Sequence, residues 1–293
     1  MYNNSTIGIA DKIKRVEALL SSVNNLPSIP LIINEVNRVI EDPGASAAKL
    51  AKIINKDQAM VTKILSLANS PLYGIPRRVS TIDFAIIILG FNHIKNIIIA
   101  LSMIDAFKSV KGERFDQQKY WVHSLMVATL SKKIADDLGH RTGGEVFTAG
   151  LLHDLGIPII FKYFNNDYIE ITKIAEESGT SIFENESNIL GLTHAQVGRF
   201  LIDKWNLPVG LANSVQFHHQ PGKCPTDVVV PAIIHLADII TQRFEKGDFF
   251  WDKNLPIDKS IIDILKLGNE EYLEQFILSY QELVNSQVES LNI

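Results

Sequence analysis

One apolar segment of the chain carries an imidazole and a carboxylate side by side. Residues 150–156 read Gly-Leu-Leu-His-Asp-Leu-Gly, and this pattern predicts a short helical stretch that anchors His153 and Asp154 in a hydrophobic core. Such a pair has two interpretations: a structural histidine held by its neighbouring carboxylate, or two ligands of a metal ion. The dipeptide alone does not distinguish these interpretations, so the positions of the other histidines are needed.

The histidines of the second half of the chain fall around this pair on separate predicted helices. Together with two aspartates, they give a candidate ligand set of His123, His153, Asp154, His194, His218, His219 and Asp238. Imidazoles and carboxylates without cysteine suit cations such as Fe, Mn, Zn or Mg. A carboxylate beside a histidine can bridge two metals, and two metals about 3.5–4 Å apart can activate water for phosphoryl transfer. The set therefore predicts a mononuclear or dinuclear metal site.

Several neighbours of this set have weaker claims. His218 and His219 cannot both face one side of a helix, because adjacent residues differ by about 100°, so we rank His218 first and expect one of them to support the other. Glu186 could supply a further carboxylate, but we predict a solvated side chain. His235 shares a helix face with Asp238. We expect it to orient a metal ligand or to pack in the core rather than to bind metal itself. His93 and His140 lie outside the set.

Helical periodicity dominates the elements that must position these residues. Apolar spacing predicts helices over 9–23, 29–40, 46–54 and 57–67, with Ser46 and Asp57 as N-caps. The apolar stretch 82–107 is broken by polar residues and predicts a buried helix pair rather than a membrane span. We find no alternating strand pattern. The predicted fold is all-α, with a linker over 245–256 and a helical tail over 259–267 and 270–288.

Composition limits the class of protein. The 293 residues are 46% hydrophobic and 21% charged, as in a folded globular chain. A single cysteine excludes an intramolecular disulfide and is typical of a reducing compartment. The net charge of −5 with dispersed basic residues gives no footprint for nucleic acid, and the N-terminus lacks a signal-peptide layout. We expect a cytoplasmic protein without a membrane span or a nucleic-acid partner.

Ordered motifs along the chain resemble one family. They comprise Leu-Pro-Ser-Ile-Pro at 26–30, Leu-Ala-Asn-Ser-Pro-Leu-Tyr-Gly at 67–74, the stretch 85–90, Trp121 with His123, the segment 150–156, His-Ala-Gln-Val-Gly at 194–198, and Trp-Asn-Leu-Pro at 205–208 before His218-His219. Over roughly 26–240 the chain resembles the HDOD domain. That domain is part of the HD superfamily of metal-dependent phosphohydrolases and is related to the HD-GYP phosphodiesterases.

The resemblance implies a fold, a function and a ligand arrangement. The fold is a multi-helical HD-like domain with an N-terminal helical subdomain, which divides the chain into 1–112, 113–247 with the candidate site, and a helical tail at 248–293. The function is bacterial signal transduction or regulation. By resemblance to the two-metal enzymes, His123, His153, Asp154 and Asp238 hold one metal, and His194, His218 and His219 hold a second that Asp154 bridges.

Two departures from the HD-GYP pattern weaken the case for turnover. Gln220-Pro221-Gly222 follows the histidine pair where a Gly-Tyr-Pro would stand, and Ile157 occupies a position where the enzymes commonly carry lysine. We therefore favour a regulatory protein without efficient catalysis, acting through a protein partner or a nucleotide signal. The alternatives are a phosphohydrolase or phosphodiesterase acting on a nucleotide or cyclic dinucleotide, and a metal or redox sensor. The sequence leaves the oligomeric state open.

Overall fold

The computed structural model describes residues 8–22, 44–105, 115–140, 143–244 and 256–290, with isolated positions between 32 and 42. All regular elements within these residues are helical, and none of them is a strand, which confirms the all-α prediction. The Leu-Pro-Ser-Ile-Pro motif at 26–30, most of the helix predicted at 29–40 and most of the linker lie outside the described residues.

The first part of the chain is a group of short helices with well-defined ends. They are α1 (Ile9–Ser22), α2 (Ala47–Ile54), α3 (Gln58–Ala68), α4 (Ile82–Leu89) and α5 (Phe91–Asp105). Ser46 and Asp57 cap α2 and α3 through their side chains, as predicted. Gly90 ends α4 at a φ of +87°, a conformation that glycine adopts without strain. The chain then turns by 112° into α5, so the apolar stretch forms a bent helix pair.

The second part contains the helices that carry the candidate ligands. They are α6 (Gln117–Asp137), α7 (Gly143–Leu152), α8 (Gly156–Tyr163), α9 (Asn165–Ser178), α10 (Ile182–Ile189), α11 (His194–Lys204), α12 (Val209–Phe217) and α13 (Val229–Arg243). The long helix α6 lies at the centre, where α7 and α13 both pack against it. A core of buried aliphatic side chains runs through these three helices.

The C-terminal segment folds back onto both parts. It consists of α14 (Ser260–Ile264), α15 (Glu270–Ser279) and α16 (Gln281–Ser290). The tail is helical as predicted, and the stretch 270–288 falls in two helices because the helix breaks at Tyr280. The Tyr280 hydroxyl donates to the Asp137 carboxylate at 2.6 Å, and this buried side chain anchors the break against α6. The Ser70 hydroxyl donates to Gln287 Oε1 at 2.5 Å and joins α16 to the first part.

One segment, Gly144–Tyr163, has the length and hydropathy of a membrane-spanning helix. Its most apolar window is 89% buried inside the protein. It includes α7 and α8, which pack against α6 and α11. The apolar character of this segment is therefore that of a core element.

Candidate metal centre

The His-Asp pair lies in a turn between two helices. Helix α7 ends at Leu152, and α8 begins at Gly156. The amide of Leu155 donates to the carbonyl of Leu152, and the amide of Ile157 donates to that of Asp154. Each of these bonds joins residues three positions apart, as in a 3₁₀-helix, and the turn is therefore tighter than a turn of α-helix. The expectation of a helical stretch was therefore wrong for His153 and Asp154, whose side chains leave the helix end into the core.

The two glycines of the segment permit close packing around this turn. A Cβ on Gly156 would lie 2.0 Å from the carbonyl oxygen of His194, and one on Gly150 would lie 3.0 Å from the Cα of Ala128. An added Cβ at Gly150 would only crowd the backbone of α6, whereas Gly156 requires glycine for contact with the backbone of His194. This contact brings the start of α8 against the start of α11, where His194 is located.

Helix α11 begins at His194 because the preceding residue caps it. The Thr193 hydroxyl accepts from the Gln196 amide, and Gln196 Oε1 accepts from the Thr193 amide at 2.9 Å, which forms a capping box. The cap defines the first residue of the helix. His194 is consequently held with its side chain directed into the core.

All seven predicted ligands meet at one place, and they fall into two groups. Within each group one potential donor atom per residue lies within 4.8 Å of all the others. The first group is Asp154, His194, His218 and His219, and the second is His123, His153 and Asp238. The ligands come from α6, from the turn after α7, from the start of α11, from the end of α12 and from α13. Tertiary packing thus assembles residues that are far apart in sequence.

Asp154 lies between the two groups and faces each with a different oxygen. Its Oδ1 is 3.3 Å from His194 Nε2 and 3.6 Å from His218 Nε2. Its Oδ2 is 3.2 Å from His153 Nε2 and 3.6 Å from His123 Nε2. This is the arrangement expected of a carboxylate that bridges two cations.

Three imidazoles are anchored through Nδ1. His153 Nδ1 lies 2.7 Å from the Gly150 carbonyl, and His218 Nδ1 lies 2.6 Å from the Val215 carbonyl. Because a carbonyl only accepts, both nitrogens must donate. In the neutral rings Nε2 then carries the lone pair and faces the cluster. Metal-binding histidines are usually oriented by such an anchor.

The third anchor is a residue that the sequence interpretation placed in solvent. Glu186 is fully buried, and its Oε2 accepts from His194 Nδ1 at 2.8 Å. The prediction of a solvated acid was wrong, because α10 packs on α9 and turns this carboxylate inward. Its position eight residues before His194 carries no periodic signal that predicts the contact.

The polar atoms of the cluster fit a cation better than they fit each other. Nε2 of His123 is 3.3 Å from Nε2 of His153, and Nε2 of His194 is 3.0 Å from Nε2 of His219. Within the described part of the chain, both oxygens of Asp154 and Oδ2 of Asp238 are buried without a hydrogen bond. Such contacts bring potential ligand atoms together, and buried carboxylates are costly unless paired. The cluster can therefore hold metal.

The electrostatics of the metal-free cluster agree with this donor set. Burial alone would lower the pKa of His194, but the carboxylates of Glu186 and Asp154 outweigh it and raise that pKa well above its ordinary value. Burial lowers the pKa of His123 to about 3 and lowers those of His218 and His219. Burial raises the pKa of Asp238. Neutral imidazoles, the form that binds metal, thus predominate at three positions.

The centre is closed to solvent. Its seven residues are between 0% and 4% exposed. The Phe183 ring packs edge-on against His219 with centroids 4.9 Å apart. Ile157 is also buried, which leaves an aliphatic side chain where a lysine is common in the related enzymes.

The remaining histidines have other partners. His235 Nε2 accepts from the Asp258 amide at 2.9 Å, so this residue contacts the C-terminal segment. His93 lies 2.5 Å from the Tyr73 hydroxyl, and His140 is half-buried at the end of α6. None of the three belongs to either ligand group among the residues described.

Comparison with known proteins identifies the family. The family model of the HDOD domain matches residues 26–221. The chain belongs to the HDOD family. The closed His/Asp cluster is therefore a feature of an HDOD domain protein.

Solved HDOD-like structures share the fold. An HDOD domain protein of unknown function from Geobacter sulfurreducens superposes with a TM-score of 0.78 at 24% identity, covering 98% of this chain and 100% of that one. A Shewanella amazonensis SB2B protein, provisionally named a phosphohydrolase, gives 0.69 at 24% identity, covering 94% and 98%. A Marinobacter aquaeolei VT8 protein, provisionally named in signal transduction, gives 0.72 at 18% identity, covering 99% and 68%.

An uncharacterized protein of Treponema pallidum (strain Nichols) is 24% identical over 262 residues. The match covers 89% of this chain but only 50% of that protein. The chain thus spans about half the length of this curated relative.

Proposed function

We propose that this HDOD protein is a cytoplasmic regulatory module that holds a dinuclear divalent metal centre and does not use it for efficient catalysis. The observation that carries the proposal is the position of Asp154, which faces one imidazole group with each oxygen. A carboxylate that only holds one structural histidine has no need to face a second group of imidazoles with its other oxygen. Two cations, one in each group, would neutralise the buried carboxylates and would be held by the Nε2 atoms of the imidazoles.

The ligand assignment follows the two groups. His123, His153 and Asp238 would hold one ion, His194, His218 and His219 would hold the other, and Asp154 would bridge them. When bound, such ions supply Lewis acidity toward phosphoryl or carboxyl oxygens. The donor set, which is mostly imidazole, favours Fe or Zn over Mg or Mn, because imidazole suits Fe and Zn and carboxylate oxygens suit Mg and Mn.

The closed surroundings favour regulation over turnover. A phosphate ester must reach the metals to react, whereas the seven ligands are at most 4% exposed. Ile157 supplies no positive charge where the related enzymes commonly have a lysine, and an aliphatic side chain cannot bind a phosphate oxygen. We propose that the N-terminal helical part (1–112) and the HD-like part (113–247) form one surface that relays a signal to a protein partner or from a nucleotide.

Elemental analysis tests the metal centre directly. The protein, purified without chelators and then reconstituted with Mn²⁺, Fe²⁺ or Zn²⁺, is expected to retain about two metals per chain. Chelation is expected to lower its thermal stability, because a ligand that binds only the folded state stabilises it. A protein that carries no metal after purification without chelators, and none after reconstitution, would contradict the proposal.

The alternative function is a metal-dependent phosphohydrolase. The bridging position of Asp154 favours it, since two-metal phosphoryl transfer uses this arrangement. The metal-loaded protein should be assayed against nucleotides and cyclic dinucleotides, with His153→Ala as the comparison. Turnover at an enzyme-like rate that this substitution abolishes would replace the regulatory proposal, while metal binding without turnover would support it.

A further inference from the structure

Glu186 supports one half of the cluster with two hydrogen bonds to a single residue. Its Oε2 accepts from the backbone amide of His194 at 2.8 Å and from His194 Nδ1 at 2.8 Å. The two bonds constrain both the start of α11 and the rotation of the imidazole ring. Phe183, on the same face of α10, packs against His219. Helix α10 therefore both orients and covers the group that contains His194.

The anchor of His194 differs chemically from those of the other two oriented imidazoles. His153 and His218 donate to backbone carbonyls, whereas His194 donates to a carboxylate. A charged acceptor makes a stronger hydrogen bond than a neutral one. It also pushes electron density toward Nε2 and raises the basicity of the ligand. His194 is thus expected to be the strongest donor of the three.

We propose that Glu186 is a positioning residue of the metal centre, which holds His194 as an Nε2 donor and strengthens the metal position formed with His218 and His219. Glu186 does not itself ligate the ion. This inference rests on the proposed metal centre. The other metal position takes its support elsewhere, from the Gly150 carbonyl behind His153 and from Gln242, whose amide donates to Asp238 at 2.9 Å. Loss of Glu186 is therefore expected to weaken one position selectively.

The test compares Glu186→Gln with Glu184→Gln in the 293-residue chain. Glutamine keeps the size and an acceptor oxygen but removes the charge. Glu184 is an exposed residue of the same helix, so its substitution controls for any general change in α10. Zn²⁺ affinity is measured by chelator competition and metal content by elemental analysis. We expect Glu186→Gln to hold one zinc equivalent about 10- to 100-fold more weakly, and Glu184→Gln to match the wild type.

A purely structural role for Glu186 would lower the stability of the metal-free protein instead. Thermal unfolding in excess chelator is therefore measured for both variants. Glu186→Gln is expected to lose some stability there, because a buried charge-assisted hydrogen bond to His194 is weakened, and to lose zinc affinity in addition, whereas a purely structural role predicts the loss of stability with unchanged zinc affinity. If this variant does not fold, nitrogen NMR of the zinc-loaded wild type is measured instead. It shows which ring nitrogen of His194 carries the proton. A His194 ring that is protonated at Nδ1 and not at Nε2 supports the inference, and the opposite tautomer overturns it.

The outcomes separate this inference from the proposed function. Retention of every zinc equivalent with unchanged affinity in Glu186→Gln overturns the role of Glu186 and leaves the metal centre intact. A wild-type protein that binds no zinc removes the metal centre, and the role of Glu186 with it.

Discussion

Replacement of Asp154 by asparagine distinguishes a metal centre from a structural hydrogen-bond cluster. Asparagine preserves the volume of the side chain, but it removes the negative charge from between the two groups and replaces one oxygen with an NH₂ donor. Asp154 Oδ1 lies within 3.6 Å of two imidazole Nε2 atoms in one group, and Oδ2 lies within 3.6 Å of two in the other group. We therefore expect Asp154→Asn to weaken both metal positions.

The expected magnitude follows from linkage between binding and folding. At a free metal concentration of 100 times Kd, each bound ion stabilises the folded wild type by about 2.7 kcal/mol. With an unfolding entropy of about 2.1 cal/mol/K per residue, a chain of 293 residues gains about 4 °C in Tm per ion. The Asp154→Asn variant is expected to gain little at the same concentration. Without metal the two proteins should differ by only about 1 kcal/mol, because the neighbouring imidazoles can release their protons.

Differential scanning calorimetry with and without Mn²⁺ measures both quantities. The exposed Asp83→Asn variant serves as a matched control for the loss of one carboxylate. If Asp154→Asn lost as much stability in chelator as in metal, the cluster would be a structural network. If the wild type gained no stability from any of the divalent ions, the assignment of two cation positions would be wrong.

Three further predictions concern the support and titration of the centre. Gly156→Ala is expected to unfold the protein or abolish metal uptake, because the added Cβ would lie 2.0 Å from the His194 carbonyl oxygen. Circular dichroism and elemental analysis measure these effects. A folded variant with the metal content of the wild type would contradict the prediction. Thr193→Ala removes the side-chain cap of α11 and should cost about 0.5–2 kcal/mol in chemical unfolding, whereas an unchanged midpoint would show that the cap is dispensable. Metal affinity should fall as the pH decreases through the raised pKa values of His194 and Asp238, since ligands must lose their protons. In the metal-free protein the raised pKa of His194 has the opposite effect: its stabilising contribution is complete below the ordinary imidazole value of about 6.5 and is lost as the pH rises through the raised value. Chelator competition and thermal unfolding between pH 5.5 and pH 8.5, a range of about three units around that value, measure both trends, and pH-independent affinity would contradict the ligand assignment.

The sequence by itself was sufficient to predict the class of fold. Apolar spacing and capping residues act locally, so two helices begin directly after Ser46 and Asp57, as predicted. The candidate ligands could also be named from the sequence, because the motif at 150–156 and the later histidines and aspartate lie on separate predicted helices. These features depend on residue type and short-range spacing, which a chain carries without its tertiary structure.

Tertiary structure decided which groups support the candidate ligands. The inward orientation of Glu186 depends on the packing of α10 against α9, and the break at Tyr280 depends on a hydrogen bond to Asp137 on α6. The division of Asp154 between two groups likewise results from the meeting of separate helices. No local periodicity encodes such contacts, because their partners are distant in sequence and become neighbours only when the core is packed.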